Sequence, residues 1–409
     1  MKVVVAVDSL KGSLSSMEAG NAVKRGIERV FPEAQVQVCP LADGGEGTVE
    51  ALTAGMGGEL VRTMVTGPLG KPVEAVYGIL PGGKTAVMEM ASAAGITLLS
   101  KEERNPLETT TYGVGELLRD AISRGCRSFI MGIGGSATND GGMGMLQALG
   151  FEFLDEQGKP VPCKGRGLEN LHSISVAHAL PELSECSFRI ACDVKNPLCG
   201  QQGCSVVFGP QKGADPEMIR LMDGWLEHYA KLTEKVLTEE NWGRKTGSGA
   251  NSEAESGAAS STAAETISRF DKNYPGTGAA GGLGFALRSY LGAQLESGIR
   301  IVLEETALEQ KIREADLVVT GEGRLDAQTA MGKAPAGVAA MAKKLGKPVL
   351  AFSGCVTEDA GICNEKGIDA FFPILREVVS LEEALEPQRA AANMTATVEQ
   401  VMRLVRLYR

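Results

Sequence analysis

The chain opens on Met1-Lys2-Val3-Val4-Val5-Ala6-Val7-Asp8. A strand with one solvated face alternates apolar and polar residues. This run does not, so it predicts a strand buried on both faces, as in a parallel sheet covered by helices. A turn follows at Ser9 to Leu14, then a helix from about Ser15 to Val30 and a strand at Gln35 to Cys39. Ser15 and Glu18 have capping-box spacing, and Met17, Ala22, Val23, Ile27 and Val30 form the buried stripe of that helix. The same order returns near the C-terminus. Asp316 to Thr320 is a strand ending in the turn Gly321-Glu322-Gly323, Ala334 to Leu345 a helix, and Pro348 to Phe352 a strand ending in Ser353-Gly354. Neither β-α-β piece is large enough to stand alone. We therefore expect an α/β protein with one Rossmann-like, discontinuous domain built from residues 1–65 and 295–409. An inserted mixed α/β domain, 66–294, lies between these pieces in the chain, with Pro72 to Leu80 and Thr85 to Met90 alternating as a hairpin around Pro81-Gly82-Gly83.

Composition narrows the class. With 409 residues, 43% of them hydrophobic, the chain exceeds one ordinary core. A net charge of −10 argues against nucleic acid as a partner. An anionic ligand would be drawn by backbone amides, helix N-termini and single Lys or Arg residues. No apolar run reaches the ~18 residues of a membrane span. The opening run is cut short by Asp8 and has no small-residue cleavage site after it, so it reads as a strand and not as a secretory signal. Nine cysteines without a Cys-x-x-Cys pair, and three histidines, give neither a zinc pattern nor a disulfide framework, and the expected compartment is the cytoplasm. Gly243 to Thr266 is low in complexity and lacks an apolar period, which predicts a mobile surface loop; a helix through Ala254 to Ile267 is the competing reading.

Directly after Phe129-Ile130-Met131, the segment Gly132 to Gly144 packs six glycines around Ser136, Thr138, Asn139 and Asp140. Gly134, Gly135, Ser136 and Thr138 are candidates to bind a substrate or phosphate, with successive backbone amides converging on it, while Asn139 and Asp140 would hold a hydroxyl or a metal. A tight strand-to-helix turn into Met143 to Leu149 needs glycines too. Two further pattern matches fail on context. Gly78 to Thr85 has Walker A spacing, but Thr85 to Met90 alternates like a strand where a P-loop needs a helix. Gly276-Thr277-Gly278-Ala279-Ala280-Gly281 fits the dinucleotide fingerprint without a buried strand before it, leaving an anion-binding helix entrance or simple close packing.

Five polar clusters remain, each after an apolar run and each mixing charge with glycine or proline: Asp8 to Ser13, Asp43 to Thr48, Asp193 to Pro197, Gly209 to Gly213 and Thr320 to Asp326. An isolated Asp-Gly is most simply a loop cap. Five such loops at the carboxyl ends of strands in an open α/β sheet are where ligands bind, and phosphoryl transfer needs this mixture of cations, amides and carboxylates.

In sequence order, Asp8-Ser9-Leu10-Lys11-Gly12-Ser13, Leu41 to Thr48, Asn105 to Gly113, Gly132 to Gly144, Cys192-Asp193 with Asn196-Pro197-Leu198, Phe208 to Gly213 and Thr320 to Asp326 span nearly the whole chain. They resemble the bacterial glycerate kinase family that includes the glycerate 2-kinases. The resemblance implies ATP-dependent phosphorylation of D-glycerate by two α/β domains flanking a cleft. It favours 2-phosphoglycerate as product; a glycerate 3-kinase or a kinase of another small hydroxy acid is the alternative. A non-catalytic protein that binds a phosphorylated metabolite would not need so many acidic loops. Val7-Asp8-Ser9-Leu10 departs from the more common Pro-Asp-Ser-Phe, and the 243–266 stretch is longer than usual for the family.

Chemistry then suggests roles. Lys11, with Ser9 and Ser13, would hold the glycerate carboxylate or a phosphate, and Lys212 is a further anion-binding candidate. Asp43 and Glu46 are the Mg²⁺ candidates. Asp193 is the first choice for the base facing the glycerate hydroxyl, and Asp140 the second. Glu322, Arg324 and Asp326 would form an opposite wall with Lys333. Monomer and homo-oligomer both stay open.

Overall fold

The computed structural model describes residues 1–42, 44–45, 47–240, 242 and 269–408. The stretch expected to be a surface loop, 243–266, and the metal candidates Asp43 and Glu46 therefore lie outside the described residues. Among those described, the strands run in chain order as β1 (Lys2–Val7), β2 (Gln35–Val38), β3 (Glu59–Thr66), β4 (Pro72–Ile79), β5 (Thr85–Glu89), β6 (Ser128–Gly132), β7 (Glu152–Leu154), β8 (Ser173–Ser175), β9 (Ser187–Ala191), β10 (Gln294–Glu296), β11 (Leu317–Leu325), β12 (Val349–Val356) and β13 (Ala370–Pro373). Contacts divide the chain into two compact units, 1–59 with 297–409, and 60–296.

The first unit is built on a five-stranded sheet of order β13-β12-β11-β1-β2, in which every strand pairs parallel with its neighbour. Val3 to Val7 are all buried, as a strand covered on both faces requires. The helix Ser16–Glu28 starts with the capping box, Ser15 accepting from the Glu18 amide while the Glu18 carboxylate accepts from the Ser15 amide. Its apolar stripe, with Ala22, Val23 and Ile27 fully buried, shares a core with Met394, Val398 and Met402 of the C-terminal helix Pro387–Leu407. The two chain ends are also joined by a hydrogen bond from Thr395 Oγ1 to the Ala22 carbonyl at 2.9 Å. From β1 the connections proceed toward β2 on one side, and later through β11 to β13 on the other. The β1/β11 boundary is thus the topological switch point of the sheet.

One expected turn is strand. β11 continues through Gly321-Glu322-Gly323-Arg324 to Leu325, paired with Ser353 to Val356 of β12, so the polar residues stand on the sheet itself. The approach there demands glycine, because a Cβ on Gly321 would lie 1.9 Å from the Phe352 carbonyl oxygen.

The second unit carries a six-stranded mixed sheet, β10-β9-β6-β5-β4-β3, and a small antiparallel pair, β7-β8. β10, β9, β6 and β5 pair parallel, while β4 and β5 pair antiparallel as the hairpin pattern predicts. Thr85 therefore begins a strand, where a P-loop would begin a helix. The core of this unit gathers Phe129, Phe151, Phe153, Tyr229, Phe285 and Tyr290. The Gly276 to Gly281 segment leads into the helix Ala279–Leu291 and is close-packed: a Cβ on Gly281 would lie 2.1 Å from the Thr138 carbonyl oxygen.

Candidate active site

In the first unit, the loop after β1 closes on itself. The Leu10 and Leu14 amides exchange hydrogen bonds with each other's carbonyls at 2.8 and 3.0 Å, and the next helix begins at Ser16. Two cavities flank this loop. One, of about 430 Å³, is lined by Asp8, Ser9, Lys11 and Ser13 from the loop, by Glu322 and Arg324 from β11, by Lys333 and by Gly354 and Cys355 from β12. The other, of about 410 Å³, shares Asp8 to Ser13 and adds Glu18, Leu41, Gly47 and Glu50. Both gather residues beyond the carboxyl end of β1. A third cavity, of about 480 Å³, is lined by Lys2 and Gln35, which begin β1 and β2, and by Glu314, which ends the helix Leu308–Glu314 before β11. The two loop cavities, not this one, hold the polar motif residues.

Six of the residues singled out in the sequence, Ser9, Lys11, Ser13, Glu322, Arg324 and Lys333, thus meet at one cavity. Asp326 stands just behind them. Its carboxylate accepts from Arg324 at 2.9 Å and from the Thr329 amide at 3.1 Å. Burial pushes its acidity down, but the Thr329 amide, Arg324 and Lys333 together hold the carboxyl below the usual aspartate range. Thr329 also donates to Glu322 at 2.5 Å, fixing both carboxylates from one hydroxyl side chain. Asp8 is 8% exposed and accepts from the Ser9 amide at 2.7 Å. Asp8, Thr329 and an apolar flank of Leu375, Leu381 and Leu385 were not among the residues expected at the site. Asp8 heads a quoted cluster, and Ser380-x-x-Glu383 is a readable helix start; Thr329 gave no separable signal.

In the second unit, β6 and β9 run side by side with Gly132 opposite Ala191, so the glycine-rich segment and Cys192-Asp193 leave adjacent strands. The glycine-rich segment has two halves. The amides of Ala137, Gly141, Gly142, Met143 and Gly144 are all donated to protein oxygens, making that half a packed turn. Gly134 and Gly135 are exposed, with open space where a Gly134 Cβ would point. Ser136, Thr138, Asn139 and Asp140 are buried behind them. Asp140, fully buried, accepts from the Thr111 amide at 2.8 Å, Thr111 Oγ1 at 2.7 Å and the Gly142 and Gly144 amides. Burial raises its pKa against the pull of these donors. Asn139 donates to Ser205 Oγ at 2.9 Å. Lys212, 2% exposed, donates to Ser136 Oγ and to the Thr138 carbonyl, and burial lowers its pKa to about 8. Asp193 is exposed.

All nine cysteines are free. Among the described residues no helix is long and apolar enough to cross a membrane, and no group of three or more His, Cys, Asp or Glu residues is placed to hold a metal ion.

The family model described as the glycerate kinase family matches residues 3–406. The chain is 44% identical over 405 residues to a glycerate kinase of Haemophilus influenzae, covering 99% of each chain. It is also 44% identical over 408 residues to the glycerate 2-kinase of Escherichia coli, covering 98% of this chain and 99% of that one. A crystal structure from Salmonella typhimurium LT2, described as a candidate glycerate kinase 2, superposes with a TM-score of 0.86 at 42% identity, covering 100% of this chain and 98% of that one. The chain belongs to the glycerate kinase family and is an enzyme of the kinase class.

Proposed function

We propose that this enzyme transfers the γ-phosphoryl group of ATP to the 2-hydroxyl of D-glycerate, giving ADP, 2-phosphoglycerate and a proton. The carrying observation is the convergence of three cations, Lys11, Arg324 and Lys333, with the carboxylates Asp8 and Glu322 at the switch point of a parallel sheet. Phosphoryl transfer is mostly positioning and charge stabilisation, and such a set supplies both.

In the first unit, Lys11, Arg324 and Lys333 bind phosphate oxygens. Asp8 and Glu322 stand at the carboxyl end of β1 and on the adjacent β11, and give an oxygen-only donor set of the kind that suits Mg²⁺. These two would hold the ion, together with the sequence candidates Asp43 and Glu46. When bound, Mg²⁺ neutralises charge on the transferring phosphoryl group. In the second unit, Gly134 and Gly135 offer exposed amides for an anion. Asp193 takes the proton of the attacking hydroxyl. Asp140, with four donors on its carboxylate, positions the glycine-rich segment and does not transfer a proton. The two compact units are the two domains, and the cytoplasm, where ATP is supplied, is the place of action.

The test is an enolase-coupled assay with MgATP and D-glycerate. If enolase and pyruvate kinase consume the product without added phosphoglycerate mutase, the product is the 2-isomer. A strict mutase requirement would assign the 3-hydroxyl instead, and absence of glycerate-dependent ADP would defeat the substrate assignment.

A further inference from the structure

The cavity of about 430 Å³ beside the β1 loop is lined by two chemically unlike sets of residues. One is Lys11, Arg324 and Lys333. The other is Leu375, Leu381 and Leu385, on the chain that follows β13. Leu375 is 39% and Leu381 75% exposed, unusual for large aliphatic side chains lining one depression. The loop that carries Lys11 reaches the leucines, since a Cβ on Gly12 would touch Leu385 Cδ1 at 4.0 Å.

A three-carbon hydroxy acid has no flat apolar face to place on three leucines, and its size leaves most of this volume empty. A bare polyphosphate has none either. A nucleoside triphosphate has both an aromatic face and an anionic tail, and the cavity lies in the ~300–1,000 Å³ range of cofactor sites. Ser13 Oγ, on the same loop, is buried and has no hydrogen-bond partner among the described residues, a polar atom that a phosphate oxygen would satisfy. The neighbouring cavity shares Asp8 to Ser13 and has aliphatic lining of its own in Leu14, Met17 and Leu41, but Glu18 and Glu50 line it where the first cavity has Arg324 and Lys333. A phosphate tail placed there would keep Lys11 but face Glu18 and Glu50 in place of Arg324 and Lys333.

Resting on the kinase reading above, we propose that this cavity is the ATP site, with the purine on Leu375, Leu381 and Leu385 and the triphosphate over Ser9 to Ser13 between Lys11, Arg324 and Lys333. Its test is equilibrium dialysis of ADP against the full chain with no glycerate present. Leu381→Asp alters an exposed side chain, so the fold should persist, and ADP affinity is expected to fall at least about tenfold; Arg324→Ala should act likewise. Val378→Asp, at a fully exposed neighbour that does not line the cavity, should leave affinity unchanged. Unchanged ADP affinity in both Leu381→Asp and Arg324→Ala overturns the proposal. The two readings fail separately. ADP binding weakened by these variants in a protein that ignores glycerate would sink the substrate assignment alone, whereas glycerate turnover with a KM for ATP unmoved by them would sink the nucleotide site alone.

Discussion

Lys212 Nζ lies 2.7 Å from Ser136 Oγ, and a side chain from the turn Pro210–Lys212 thereby holds the glycine-rich segment from behind. Its second bond goes to the Thr138 carbonyl at 2.6 Å, and neither of these two partners is a carboxylate. A buried ammonium held by a hydroxyl and a carbonyl is costly, and such a cost is borne at sites that use the charge. Lys212→Met keeps most of the volume and removes the charge. It is expected to cut kcat/KM at least about 100-fold while changing stability by no more than about 2 kcal/mol, since relief of desolvation offsets the lost hydrogen bonds. The pH dependence gives an independent check. The folded pKa of about 8 lies below the ordinary lysine value, so below pH 8 both folded and unfolded chains carry the proton and the full penalty is present. Between about pH 8 and 10.5 only the unfolded chain keeps it, so wild-type stability should rise relative to Lys212→Met by up to about 3 kcal/mol. Urea unfolding of both proteins across that window measures the difference, and parallel curves would contradict a depressed Lys212.

Asp140 presents the opposite case, an acid whose acceptor capacity is spent inside the protein. Oδ2 takes the Thr111 amide, Thr111 Oγ1 and the Gly144 amide, and Oδ1 takes the Gly142 amide. Asn in its place would point an amide donor at one of these donors. Asp140→Asn should therefore destabilise by about 2–4 kcal/mol, with lost activity following lost fold. A variant with unchanged melting temperature and greatly reduced kcat would make Asp140 the base after all.

Much of this was legible from residue order, and for identifiable reasons. Val3 to Val7 and the Ser15/Glu18 pair carry local signals, period and capping spacing, that packing only confirms. The polar residues of β11 misled because glycine and charge usually mark a turn, whereas here they mark a strand pressed against Phe352 so closely that only glycine fits at position 321. Gly132 to Gly144 announced a special backbone, yet which amides face solvent depended on partners far along the chain: Gly281 receives the Gly141 amide, and Thr111 anchors Asp140. Thr329 and the leucines at 375, 381 and 385 were invisible as site residues because nothing local distinguishes them. They matter only through the neighbours that the sheet topology gives them.

Lys84 tests the rejected nucleotide motif. It sits exposed in the turn between two antiparallel strands, and the hydrogen bonds received there from Arg127 and Ser128 go to its backbone carbonyl. Lys84→Ala should leave kcat and the KM for ATP within about threefold of wild type, whereas a P-loop lysine would cost orders of magnitude. A loss of that size would put a phosphate at the β4–β5 hairpin.

Asp193 carries the strongest expectation for the proton step. It follows β9, whose neighbour β6 delivers Gly134 and Gly135, and the Ile133 amide donates to the Ala191 carbonyl at 3.4 Å where the two segments leave the sheet. An exposed aspartate two residues past the end of β9 contributes little to stability, so Asp193→Asn should melt within a few degrees of wild type. A base that takes the hydroxyl proton during transfer contributes about 100- to 10,000-fold, so kcat should fall by at least the lower figure. The acidic limb of the kcat/KM profile should vanish with it, because the group whose protonation sets that limb is gone. A purely structural aspartate would leave the limb in place and change only the plateau, so the profile separates a proton acceptor from a residue that merely shapes the loop.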